Sequence, residues 1–395
     1  MTYWIGNIIF ILLLSYFLHR HVFSDLNALV YWSALGYKLS AGIVLGLVFM
    51  YEYGSSDSFT YFKFGKEILS GGHIAINQPR VTFFSTCLVP LIWVTGGSYW
   101  LTGLYLSCIS FYSYCYFVGR FNRLFPGKEL IVTGIFLFMP TVTFWSSGVL
   151  KGTLTNASLV FLVSITLSIY QKRKINGAQI ILALGSLVLL FNIKHYLLIA
   201  YVSFIGGLTA ICLTRRMGKL TRWPMAVGIV CLTLFLVQNI HPYLTLGRLS
   251  QTIYENNQAI LKNTESEKRV DLEIAKPDVS SVIRVIPKSI YTGLFRPAIH
   301  EKVSPWGLLH QIENFLLATL TIFTVLLVLK DKAKIDWQLI GPAAFSILLL
   351  ASLLAMTTPN FGSLVRYRNA FLPFLFLMVS ILPFQYLLHK PLDNH

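Results

Sequence analysis

Apolar runs of about 17 to 22 residues recur along almost the whole chain, and this recurrence restricts the fold more than any other feature. Each run is long enough for a helix to cross roughly 30 Å of hydrocarbon. Hydrophobic residues make up 55% of the 395 positions and charged residues 12%, against roughly 45–50% and about 25% in soluble domains. The fold class expected is therefore all-α: a single polytopic membrane domain over residues 1–395. Its one extended polar stretch is a large loop at 242–305. The first run, IGNIIFILLLSYFL, has no basic segment before it and no small-residue cleavage site after it, so it reads as a retained helix. Cys87, Cys108, Cys115, Cys212 and Cys231 all fall in apolar segments without metal-ligand spacing, and read as packing residues.

The net charge of +16 does not indicate nucleic acid, because the basic residues are scattered between apolar segments and form no continuous stripe. They gather instead in short linkers: Arg120, Arg123 and Lys128; Lys172, Arg173 and Lys174; Arg215, Arg216, Lys219 and Arg222; Lys330, Lys332 and Lys334. Positive charge in short loops resists translocation, so these clusters mark the cytoplasmic side. Counting crossings between them gives helices near 129–149, 152–170, 177–191, 196–213, 224–241, 306–329, 338–356 and 371–388. The stretch 81–118 allows two crossings, or one crossing at 99–118 preceded by a partial or surface helix at 81–96. With the second choice and the two N-terminal runs, the expectation is about eleven transmembrane helices, juxtamembrane helices within an external acidic loop at 54–98, and the external loop at 242–305.

On that topology the external face collects Asp57, Trp145, Ser146, Ser147, Lys151, Lys194, His195, Arg296, His300, Glu301, Arg366 and Arg368. Asp57, in GSSDSFTYFKFGKEI, suits a helix N-cap ahead of a short amphipathic helix that turns Phe59, Phe62, Ile68 and Leu69 to lipid. It equally suits a base that takes a proton from a hydroxyl at the membrane surface. Lys151 follows Pro140, Trp145 and small residues; it either snorkels to headgroups or binds a phosphate. Lys194 and His195 form a basic turn between two apolar runs. Arg366 and Arg368 carry forked donors on the face where positive charge is not favoured, which suits anion binding or pairing with an acid such as Glu313. In the large loop, YENNQAILKNTESEKRVDLEIAKPD reads as a solvated helix and linker. VIPKSIYTGLFRPAIHEKVSPWG, which contains Arg296, reads equally as a surface lid over a polar cavity or as a plain surface loop.

The order of these features resembles the C-type glycosyltransferase superfold, multi-pass enzymes that use lipid-phosphate-linked sugars. The resemblance is carried by GSSDSFTYFKFGKEI, an acid in the first external loop before surface helices, by MPTVTFWSSGVLK, and by RYRNAFLPF before the last helix. Most such enzymes start inside and many have a second acid after the first; here the only acids nearby are Glu52 and Glu67. Bacterial O-antigen and exopolysaccharide polymerases are similar too, being multi-pass with external arginines and a large external loop. The resemblance implies transfer of a sugar from a polyprenyl-phosphate-linked donor to a glycan, lipid or protein acceptor at the outer face of a bacterial inner membrane. It makes Asp57 the base, with Lys151, Lys194, His195, Arg296, Arg366 and Arg368 on the donor phosphate. No cofactor is expected, and one isolated Asp is a poor divalent-metal site. A polymerase joining lipid-linked repeat units is the nearest alternative. A transporter or flippase is the second, although it calls for ionisable residues at mid-membrane depth and internal repeats.

Overall fold

The computed structural model describes residues 2–51, 57–72, 78–214, 224–225, 228, 246–265, 268–301, 305–330 and 337–389. These residues are mainly helical, and the extended pairing among them is an isolated antiparallel bridge between Arg269 and Asn360. The chain forms two compact units, Met1–Leu198 and Ile199–His395.

The first unit contains α1 (Thr2–His21), α2 (Ala28–Tyr51), α3 (Asp57–Leu69), α4 (Pro79–Val94), α5 (Tyr99–Leu124), α6 (Glu129–Thr133), a π-turn (Gly134–Phe138), α7 (Pro140–Trp145), α8 (Lys151–Tyr170) and α9 (Gly177–Ile193). Contacts fix which helix ends lie together. Asn7 of α1 donates to Val94 O (3.4 Å) and accepts from Tyr105 Oη (2.7 Å). Ser58 of α3 lies 2.7 Å from Tyr99 Oη and donates to Val149 O (2.7 Å). Ile193 joins Tyr61, Ile92, Leu106 and Val149 in one buried core, and Phe49 near the end of α2 faces Trp145. At the other end of α5, Arg123 Nε donates to Asp25 (2.7 Å), which precedes α2. There also Gln179, at the start of α9, donates to Tyr116 Oη (2.8 Å). The basic groups at 120–123 and 172–174 thus lie at the end of the bundle opposite Asp57, Lys151 and Lys194.

The same contacts resolve the path of 81–96. The chain leaves α2 and enters α5 at one end of the bundle, so α3 and α4 make an excursion there and add no crossing. At 16 residues α4 covers only about 24 Å. Ser98 then caps α5 through the Leu101 amide (3.4 Å). Phe59 and Phe62 do not face lipid as the sequence suggests: Phe59 stacks on Tyr99 (4.3 Å) and Phe62 meets the same ring edge-on (5.5 Å).

Eleven spans are not reached among the described residues, where seven helices are long and apolar enough to cross, or eight if a bent pair counts as one. The expected helix at 129–149 is broken. Pro140 has no amide hydrogen and holds Met139 extended (φ −62°, ψ 122°), so the turn before it widens to a π-turn. The orphaned Leu137 carbonyl accepts from Thr143 Oγ1 (3.3 Å). α9 has 17 residues and is among the shorter apolar helices. The last helix is bent 65° from the one before it. The segment 224–241 lies outside the described residues apart from 224, 225 and 228, as do Glu52, the cluster at 215–222, and Lys332 and Lys334.

α10 (His195–Leu213) runs from the first unit into the second, which continues with α11 (Leu246–Asn263), α12 (Val279–Phe295), α13 (Pro305–Leu329), α14 (Trp337–Thr357), α15 (Phe361–Arg368) and α16 (Leu372–His389). α12 lies on α14 at Gly293, where a Cβ would come within 2.3 Å of Ala351 O. A bond between the Ser289 and Ser352 hydroxyls (2.6 Å) adds to that contact. The stretch after α11, expected to be a solvated linker, is pinned. Val270, Leu272 and Ile274 are buried while Asp271 and Glu273 are exposed, the period-two alternation of an extended chain on a core. The fully buried Asn257 donates to Leu272 O (2.9 Å) and Met356 O (2.8 Å) and accepts from Ile274 N (3.4 Å).

Candidate functional site

The turn between α7 and α8, Ser146–Leu150, is buried, and a buried turn must pair its backbone groups internally. The Gly148 amide donates to Ser107 Oγ (2.9 Å), the Ser147 carbonyl accepts from Thr153 Oγ1 (2.8 Å), and the Val149 carbonyl accepts from Ser58. Gly148 itself sits at φ +66° with Leu45 Cδ2 2.9 Å from where a Cβ would be, so both backbone and space require glycine. The turn therefore delivers two groups in a fixed relation: the Val149 carbonyl, which holds the start of α3, and Lys151, the first residue of α8.

Around it lie three of the sequence-predicted residues. Asp57 is exposed at the first position of α3, next to Ser58. Lys151 is half-buried with its ammonium 4.5 Å from the Tyr61 ring centroid, a cation–π contact one turn along α3. Lys194 is buried, and its Nζ lies 3.7 Å from the point a Cβ on Gly152 would occupy. Two lysines thus flank the N-terminus of α8, where backbone N–H groups and the helix dipole already favour an anion. His195, the next residue, is half-buried at the start of α10 with its ring edge toward Tyr196.

The arginines fall in the second unit and differ from one another. Arg368 is buried and donates to Arg296 O (2.7 Å), Leu294 O (2.5 Å) and Asn314 Oδ1 (2.9 Å). It ties α15 to the end of α12 and to α13, a structural clamp that the sequence reading did not include. Arg296 Nε donates to Glu301 Oε1 (2.7 Å), and its guanidinium stands 5.1 Å over the Phe361 ring. The second Glu301 oxygen accepts from the Ala298 amide (2.6 Å), and Asn314 donates to Pro297 O (2.9 Å). Burial alone would raise the Glu301 carboxyl, but the Arg296 and Ala298 hydrogen bonds outweigh it and hold the group below its ordinary value. Arg366 is half-buried, stacked over Tyr367 (5.0 Å).

Sequence reasoning missed Lys38. It is buried in the middle of α2, its ammonium bonded to Ser146 Oγ, 3.5 Å from Thr143 O and 5.1 Å from the Tyr114 ring centroid. Its depth was the available signal: at 1.5 Å per residue it stands about 15 Å from the first residue of α2 and about 20 Å from the last, too far to snorkel. Among the described residues no three His, Cys, Asp or Glu side chains are grouped to hold a metal ion. No protein-family model, curated protein or solved structure matches the chain.

Proposed function

We propose that the protein is a membrane glycosyltransferase that moves a sugar from a polyprenyl-phosphate-linked donor to an acceptor hydroxyl. The observation that carries this reading is the gathering of the α3 N-terminus, Lys151 and Lys194 around one buried turn, at the bundle end opposite the basic linkers. Such an end offers an exposed carboxylate at the head of α3 and two lysines at the head of α8. In the reaction, Asp57 takes the proton of the acceptor hydroxyl as its oxygen bonds to the anomeric carbon. The bond from that carbon to the phosphate oxygen breaks, and the charge left on the phosphate is stabilised by Lys151, Lys194 and the α8 N-terminus. An acceptor that is itself a lipid-linked repeat unit makes the same chemistry a polymerisation. The test is binding and turnover in lipid nanodiscs. Lys151→Ala and Lys194→Ala should each weaken capture of a polyprenyl phosphate, whereas Asp57→Asn should leave capture intact and lower sugar transfer by about 10²-fold. Equal capture by wild type and both lysine variants would overturn the donor site.

A second reading, a flippase for a lipid-linked glycan, is favoured by one observation: Lys38 lies at mid-span beside a broken helix, the arrangement translocation pathways use. It predicts lipid movement between leaflets that is indifferent to Asp57→Asn.

A further inference from the structure

We infer that Lys38 is a positioning residue for the donor end: an ammonium inside the bundle that fixes the α7–α8 turn and so sets the place of Lys151 and the α3 N-terminus. The inference rests on the reading of that turn as the donor site. α7 is only six residues long and ends inside the bundle, where its last carbonyls have no further helical turn to bond to. Apolar surroundings leave few partners for such groups, so the turn itself meets them: Val142 O accepts from Ser146 Oγ, Thr143 O from Ser147 Oγ (2.6 Å) and Phe144 O from the Ser147 amide (3.2 Å), and Lys38 in turn holds Ser146. Lys38 supplies N–H donors at that helix C-terminus, where carbonyls and hydroxyls point. Its Nζ donates to Ser146 Oγ and lies 3.5 Å from Thr143 O, and the Ser147 hydroxyl, which donates to Thr143 O (2.6 Å), also stands 3.4 Å from the Lys38 carbonyl.

The same turn is gripped from α5, where Ser107 accepts from the Gly148 amide, and close packing leaves it no freedom there. A Cβ on Gly42, one turn along α2 from Lys38, would lie 2.6 Å from Ser107 Oγ and 3.5 Å from Gly148 N. α2 and α5 therefore hold the turn from two sides, with Lys38 the contact from α2 and Ser107 the contact from α5. From the turn the geometry passes outward in two short steps: Val149 O to Ser58 and hence α3, and Leu150 to Lys151 at the head of α8. Lys38 touches neither Lys151 nor Asp57 in this chain of contacts and acts through the turn between them.

The experiment compares wild type with Lys38→Met, whose unbranched side chain reaches about as far as the lysine Cε and has no N–H donor, in lipid nanodiscs. Two readouts are taken: amide hydrogen exchange of a peptide covering residues 146–152, and capture of a polyprenyl phosphate. The expected result is exchange faster by at least about tenfold in that peptide, with α9 peptides unchanged, and weaker capture. Unchanged exchange at 146–152 in a folded Lys38→Met protein overturns the inference. Faster exchange in a protein whose wild type captures no polyprenyl phosphate supports the positioning role and removes the donor reading instead. If Lys38→Met does not fold, Ser146→Ala serves. It keeps the lysine and deletes its hydroxyl partner, and should loosen the same peptide; an unaltered exchange rate there overturns the inference.

Discussion

Arg366 and Arg368 stand two residues apart in the sequence and do opposite things in the structure. Their i, i+2 spacing on a helix sends them to different faces, and nothing in RYR says which face is core. Arg368 turns inward to carbonyls that lack helical partners after α12, so its replacement leaves buried acceptors without a donor. Arg368→Met should therefore lower the melting point of the detergent-solubilised protein, at a cost of about 3–5 kcal/mol. Arg366→Lys should leave it unchanged, and equal melting of both variants would contradict the clamp. Glu301 gives a pH test of the same assembly. Its carboxyl is held below its ordinary value in the fold, so its stabilisation is present above the unfolded pKa of about 4.3 and is lost as pH falls through the lower folded value. Wild type should lose melting temperature across that window faster than Glu301→Gln, which has no proton to gain.

Elements were legible where a single pattern decided them. Long apolar runs such as α5 and α8 fix the helix and its start, although α5 continues to Leu124 beyond the expected 118, and Pro140, where the expected helix over 129–149 breaks, was read inside that helix. The extended stretch at 270–274 was equally written, as alternating Val, Asp, Leu, Glu and Ile, but the acidic and basic residues around it drew the reading toward a solvated linker. What the sequence could not show is the anchor, because Asn257 lies on a polar helix and its partners come from the extended stretch and from α14. Asn257→Leu keeps the branched shape and removes the donor to Leu272 O and Met356 O. That stretch should then detach, with trypsin cleaving after Lys268 or Arg269 many times faster than in wild type while α13 stays resistant. The turn before α8 has the converse character. Gly148→Ala forces a side chain into a left-handed conformation against Leu45, at a cost of about 1–2 kcal/mol of strain before any repacking.

At the scale of the whole chain the sequence supplied sidedness and the structure supplies a way to check it. Short basic linkers define the inside only if each intervening apolar run crosses; the run at 81–96 was the one left open, and the run at 129–149, counted as one helix, is broken. In the first unit, contacts now place α3 and α4 together at one end, carry the broken α6–α7 segment from the basic linker to the buried turn, and set 120–123 and 172–174 opposite Asp57. Single cysteines at Asp57, exposed on α3, and at Lys172, after α8, should therefore react with a membrane-impermeant reagent from opposite faces of the membrane, in a background lacking the five native cysteines. The basic cluster at 172–174 belongs to the cytoplasmic face by the positive-inside tendency, so intact cells should label position 57 and spare 172. Labelling of both from outside would mean that α8 does not cross, and the cationic end would lose its separation from the basic linkers. A third cysteine, at Ala275, tests the segment the contacts do not reach. If 224–241 crosses as its hydropathy implies, Ala275 labels from outside like Asp57; if it does not, Ala275 is protected and the large loop belongs to the cytoplasm, leaving the donor end at the outer face without it.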